Sequence, residues 1–157
     1  MTTKESTNDL KDDIRKKLTL PETSIAVAFK DLQTGETILI NDKEQFHAAS
    51  TMKTPVLIEL YKQAQAGKFA MNDSIEVRNS FRSIVDGSEY SLSSDDDSEF
   101  ELYKIIGQKR TIREMAYSMI IQSSNLATNI LIELANPESI MKTMNDLGAV
   151  DIKVLRG

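Results

Sequence analysis

A chain of 157 residues with 40% hydrophobic content is long enough to bury one ordinary core, so a folded domain or a piece of a larger one is expected. Its 19 basic and 24 acidic residues leave a net charge of −5, and no basic stripe with interleaved aromatics occurs, which sets nucleic acid aside as a partner. With no cysteine and one histidine, the composition excludes disulfide frameworks, cysteine nucleophiles, the usual zinc clusters and any Ser-His-Asp set not built on His47.

The amino terminus, MTTKESTNDL, has no apolar signal core. A polar start of this kind fits a cytoplasmic protein or an export signal that has been replaced. Leu10, Ile14 and Leu18 then recur at helical spacing, with acidic residues early, basic ones late and Pro21 beyond the end, and predict a first helix. Ser24 to Phe29 and Thr37 to Ile40 are β-rich runs joined by a polar, Gly35-containing connection, and predict a hairpin. Two strands do not make a stable sheet alone, so further strands are expected.

After Ser50 the chain turns helical. Val56, Leu57, Leu60, Tyr61 and Ala64 share one broad face, Gly67 stops the helix, and Pro55 restricts its start because the ring is tolerated only in the first turn. Residues 71 to 103 read as irregular, and Asp95-Asp96-Asp97 as a solvated surface loop rather than a calcium loop. Thr111-Ile112-Arg113-Glu114 has the form of a capping box and opens a helix containing Met115, Met119 and Ile120. Gln122-Ser123-Ser124-Asn125 is a polar break. A further apolar helix runs through Leu126, Ile130, Leu131 and Leu134, and Asn136-Pro137 starts a last helix that ends at Leu147-Gly148. The seven methionines read as core filler on these helix faces. The apolar runs around Met119 and Ile130 are too short to span a bilayer, so no membrane span is expected.

Ser50-Thr51-Met52-Lys53 puts a hydroxyl nucleophile and an amine base one helical turn apart, where a polar loop enters an apolar helix. A serine hydroxyl attacks only once a base takes its proton, and burial can lower a lysine pKa enough to serve. An S-x-x-K is expected about once by chance in a chain this rich in both residues. A second one occurs at Ser139-Ile140-Met141-Lys142, inside the last helix. By spacing alone, Ser50 as a capping serine with Lys53 in solvent remains open. Ser123-Ser124-Asn125 is either a plain connector or a hydroxyl and an amide aimed into a cleft beside Ser50 and Lys53. His47 reads as structural, since no third member orients it.

FHAASTMKTPVLIELY and TIREMAYSMIIQSSNLATNILIEL, in this order after a helix and strand pair and before an NDLG turn, resemble the class A β-lactamases and the related penicillin-binding serine peptidases over nearly the whole chain. The resemblance implies an α/β (α+β) serine β-lactamase/transpeptidase-like fold. Residues 1–49 would give the first helix and two antiparallel strands of the sheet layer, and residues 50–157 most of the all-helical domain carrying the nucleophile. It implies Ser50 as the acylated nucleophile, Lys53 as the amine that deprotonates it, and Ser123 as the relay of a proton to the leaving nitrogen. Asn125 would hold the substrate amide side chain, the Ser50 N–H would form half of an oxyanion hole, and Tyr90 would line the cleft. The substrate implied is a β-lactam, the location periplasmic or extracellular in a bacterium, and neither cofactor nor metal is implied.

Three departures from the family pattern stand out. Ser124 occupies the place of Asp in S-D-N, which puts the bracing of that loop in question. The loop glutamate that activates the deacylating water, and the K-T-G strand, have no counterpart before Val154-Leu155-Arg156-Gly157. The expectation is therefore an amino-terminal fragment or cleavage product that folds and works with a carboxyl-terminal complement of the same fold. Two alternatives stay open: a D-alanyl-D-alanine peptidase or transpeptidase, and a non-catalytic β-lactam or peptidoglycan sensor module.

Overall fold

The computed structural model describes residues 7–18, 23–83 and 86–154, in two compact units, Met1–His47 and Ala48–Gly157. Pro21 and residues 155–157 lie outside the described residues.

In the first unit, α1 (Thr7–Lys17) carries Asp9 in its first turn and Arg15, Lys16 and Lys17 in its last, the polarity that suits the helix dipole. It packs against β2 (Thr37–Ile40), which pairs antiparallel with β1 (Val27–Lys30) so that Val27 faces Ile40 and Lys30 faces Thr37. The connection is an Asx-type turn: the Asp31 carboxylate accepts from the Gln33 and Thr34 N–H groups at 2.7 and 2.9 Å. These bonds hold the Asp31 carboxyl below the usual carboxylate range. Gly35 takes φ +77°, a conformation its missing Cβ permits. Period-two alternation buries Ile38 and Ile40 on one side of β2, while Phe29 of β1 stays 53% exposed. Among the described residues the hairpin is a two-stranded sheet.

The second unit begins with a 3-10 turn, Ala49–Met52, that runs into α2 (Lys53–Gln65). Pro55 falls in the first turn of α2, where no intrahelical N–H is needed. Val56 and Leu60 are fully buried on this helix, but the broad face expected from sequence is rotated: Tyr61 is 48% exposed, and Glu59 and Gln63 are buried in its place. Hydrogen bonding makes that burial tolerable. Gln63 donates to Glu59 at 2.7 Å and to the Ala135 carbonyl at 2.6 Å, and Thr143 donates to Glu59 at 2.5 Å. Gly67, at φ +75°, ends α2 by donating to the Ala64 carbonyl while Lys68 N–H reaches Gln63.

Residues 71–103 are more ordered than expected. β3 (Ser74–Glu76) pairs with β6 (Lys109–Thr111), and β4 (Phe81–Arg82) pairs with β5 (Glu89–Tyr90). Strands of two or three residues are too short to show an alternation in sequence. Two 3-10 segments, Ser94–Asp96 and Phe100–Ile105, follow.

Three helices complete the unit: α3 (Ile112–Ile121), α4 (Asn125–Ala135) and α5 (Pro137–Asp146). The capping box opens α3 as expected, with Glu114 N–H on the Thr111 hydroxyl and Thr111 N–H on the Glu114 carboxylate. Asn136 caps α5, its Oδ1 accepting from Glu138 and Ser139 N–H. α4 is the most buried of these helices and packs against α2, α3 and α5. Met71, Met115, Met119 and Met144 are buried, in keeping with their reading as core filler.

Candidate active site

Ser50 lies in the 3-10 turn that leads into α2, and the residue before it, Ala49, has φ +45°. A left-handed non-glycine residue costs roughly 1–3 kcal/mol and persists only where its surroundings impose it. The turn leaves Ser50 exposed while its neighbour one turn on, Lys53, is only 3% exposed. An accessible hydroxyl thus sits beside a desolvated amine.

The polar break after α3 meets this pair. Ser123 has φ +57°, and Ser124 caps α4 by accepting from Ala127 N–H at 3.2 Å. Ser123 and Asn125 are thereby turned toward Lys53. Its Nζ donates to the Ser123 carbonyl at 2.6 Å, the Ser123 hydroxyl at 2.9 Å and Asn125 Oδ1 at 3.0 Å, with Ser50 Oγ farther at 3.4 Å. An ammonium has three N–H groups, so the three short contacts use them fully. The Ser50 and Ser123 hydroxyls are 2.8 Å apart. Burial lowers the Lys53 pKa from 10.5, and the negative charge of Asp97 opposes that shift.

Ser50, Lys53, Ser123 and Asn125 therefore form one hydrogen-bonded cluster. Tyr90 stands apart from it: its hydroxyl donates to Asn129 Oδ1 at 2.7 Å, and Asn129 in turn donates to the Asn125 carbonyl at 2.8 Å. A cavity of about 280 Å³ beside Asn125 is lined by Ser91, Leu92, Ser93, Asp96 and Tyr103. The second S-x-x-K is arranged quite differently. Lys142 pairs with Asp146 at 2.7 Å, its side chain 73% exposed, in an ordinary i,i+4 ion pair.

The reading of Asp95-Asp96-Asp97 as a solvated loop needs correction at Asp97. Its carboxylate is half-buried because it accepts from Leu126 N–H at 2.7 Å, an otherwise orphaned donor in the first turn of α4. It also accepts from the Tyr103 hydroxyl and the Glu99 N–H, both at 3.0 Å. Burial, and then this contact with Asp97, push the Tyr103 phenol pKa upward, so it stays a donor. Among the described residues, no group of three His, Asp or Glu side chains is placed to hold a metal ion.

A model of the β-lactamase enzyme family matches residues 8–157. The chain belongs to that family. β-Lactamase CARB-4 of Pseudomonas aeruginosa is 26% identical over 133 residues, which are 84% of this chain and 42% of that protein. The crystal structure of a β-lactamase from Sphaerobacter thermophilus is 30% identical, with a TM-score of 0.60 over 76% of this chain and 41% of that one. PBP-A, at 20% identity, shares the fold with a TM-score of 0.74 over 94% of this chain and 52% of its own, and a mutant of it is solved as an acyl-enzyme with penicillin G. The fold is thus the serine β-lactamase/transpeptidase-like one expected from sequence, and the chain spans about half the length of these relatives.

Proposed function

We propose that this β-lactamase-family chain opens the β-lactam ring through an acyl-enzyme on Ser50. The observation that carries the reading is the contact set of Lys53, buried and directed at both Ser50 and Ser123. Two proton routes follow from it. Ser50 can give its proton to neutral Lys53 directly over 3.4 Å, or through Ser123 over steps of 2.8 and 2.9 Å. Each step of the second route has ordinary hydrogen-bond length.

In the proposed sequence, the bond from Ser50 Oγ to the lactam carbonyl carbon forms as the hydroxyl proton moves to Lys53. The ring C–N bond then breaks, and the proton passes from Lys53 through Ser123 to the departing nitrogen. Asn125 holds the amide side chain of the substrate with its remaining hydrogen-bonding capacity, the Ser50 N–H receives part of the developing oxyanion charge, and Tyr90 shapes the cleft wall through Asn129. No cofactor enters this scheme.

Because the chain matches only 42 to 52% of the length of CARB-4 and PBP-A, we assign release of the acyl group to a carboxyl-terminal complement of the same fold. The site of action is periplasmic or extracellular. The peptidase alternative draws support from the fold shared with PBP-A. Nitrocefin turnover by the chain together with its complement separates the two readings: rapid colour development is expected for a β-lactamase, and a persistent adduct without turnover contradicts it. Ser50→Ala should abolish both signals.

A further inference from the structure

We propose that Asp97 is a positioning residue for the acylation site, holding the Ser123-Ser124-Asn125 turn against Lys53 from a loop well upstream in the chain. The proposal rests on Ser50 and Lys53 being the acylating pair and adds a residue to that machinery which touches neither substrate nor nucleophile.

The geometry is that of a second cap on one helix. Ser124, at the N-cap of α4, satisfies Ala127 N–H at the third helical position, and Asp97 satisfies Leu126 N–H at the second. Asp97 Oδ2 also lies 3.4 Å from the Ser124 hydroxyl. The loop is itself tied down, since Tyr103 donates to one carboxylate oxygen and Glu99 N–H to the other. The carboxylate brings negative charge to the positive end of α4 and supports the left-handed turn at Ser123. That turn supplies three of the four acceptors around Lys53 Nζ: the Ser123 carbonyl, the Ser123 hydroxyl and Asn125 Oδ1.

A carboxylate so placed acts on Lys53 in two opposed ways. Holding the turn keeps the proton route assembled, which speeds acylation. Its charge also favours the ammonium form and so raises the pH at which Lys53 becomes a base. The groups in contact with Lys53 from the 3-10 turn, from the break before α4 and from α4 itself, namely Ser50, Ser123 and Asn125, are neutral, and Asp97 is the charge felt there. Glu99 and Tyr103 are the titratable neighbours of Asp97 itself, the first shifted upward by burial and the second held protonated.

A merely structural role for Asp97 predicts slower acylation at every pH with an unmoved pH profile. A positioning role in the field of Lys53 predicts two changes together. The test uses the whole protein, chain with complement, and compares wild type, Asp97→Asn and the double variant Asp97→Asn/Ser124→Asp, which moves the carboxylate to the neighbouring cap position. Aspartate is as good an N-cap as serine, so the double variant keeps that interaction. Two readouts are taken: the Lys53 titration by NMR of the labelled side chain, and the rate of penicillin G acylation against pH.

Asp97→Asn is expected to lower the Lys53 titration midpoint, to slow plateau acylation about ten- to a hundredfold, and to move the acid limb to lower pH. The double variant should recover most of both losses. An unchanged Lys53 midpoint in Asp97→Asn, or an acylation rate within about twofold of wild type, overturns the proposal. So does failure of the double variant to fold or to recover. If wild type itself forms no adduct, the acylation reading falls, and the Lys53 midpoints alone decide whether Asp97 governs that amine.

Discussion

In the proposed chemistry Lys53 is the central residue, because it is buried, charged in its ordinary state and surrounded by neutral acceptors. Burial lowers its pKa below 10.5 in the folded chain. Between that lowered value and 10.5 the unfolded chain holds a proton that the folded chain lacks, so stability rises with pH through this window. Acylation should climb along the same limb as Lys53 loses its proton. Lys53→Arg keeps the charge but cannot deprotonate, and should reduce acylation about 10²- to 10⁴-fold at all pH values below 10. Stopped-flow acylation rates across pH check this, and a rate that persists with an unshifted limb would assign the base elsewhere. The contrast with Lys142 shows why spacing alone is a poor guide: the same four-residue pattern on an exposed helix face makes a surface ion pair.

At the scale of elements, the caps decide where the helices start and thereby where the site residues stand. Asn136 caps α5 from φ +68°, a backbone that penalises any side chain with a Cβ and suits glycine. Asn136→Ala should therefore be less stable than Asn136→Gly by about 1 kcal/mol or more, since both lose the side-chain cap and alanine alone keeps the strain. Urea midpoints of the two variants measure the difference, and equal midpoints would contradict it. The capping box of α3, the Pro55-limited start of α2 and the polar break before α4 are all legible in sequence because each is a local pattern of residues three or four apart. Ser50, Lys53, Ser123 and Asn125 lie in or beside those patterns, and it is the family resemblance, not the spacing, that singles them out as site residues. Asp97 is not legible, because its partner is a backbone N–H 29 residues away and one aspartate in a run of three carries no signature of direction. Nor is the burial of Glu59, which depends on Gln63, Thr143 and the Ala135 carbonyl converging from three helices.

For the whole molecule, the chain spans about half the length of its relatives, and the proposed function shares the catalytic cycle between it and a complement. The hairpin of β1 and β2 is a two-stranded sheet among the described residues, and two strands are marginal without further pairing. The expected behaviour of the 17.6 kDa chain alone is no nitrocefin turnover, with turnover appearing once the complement is added; steady turnover by the isolated chain would refute the division of labour. The central proposal, acylation at Ser50, is tested most directly by peptide-mapped mass spectrometry of the whole protein mixed with excess penicillin G and acid-quenched during turnover, so that the acyl-enzyme is trapped before it is released. A ring-opened penicilloyl group, carrying the full mass of penicillin G, is expected on the peptide containing Ser50, lost in Ser50→Ala and retained in Ser139→Ala. No adduct, or an adduct on a peptide that lacks Ser50, would contradict it.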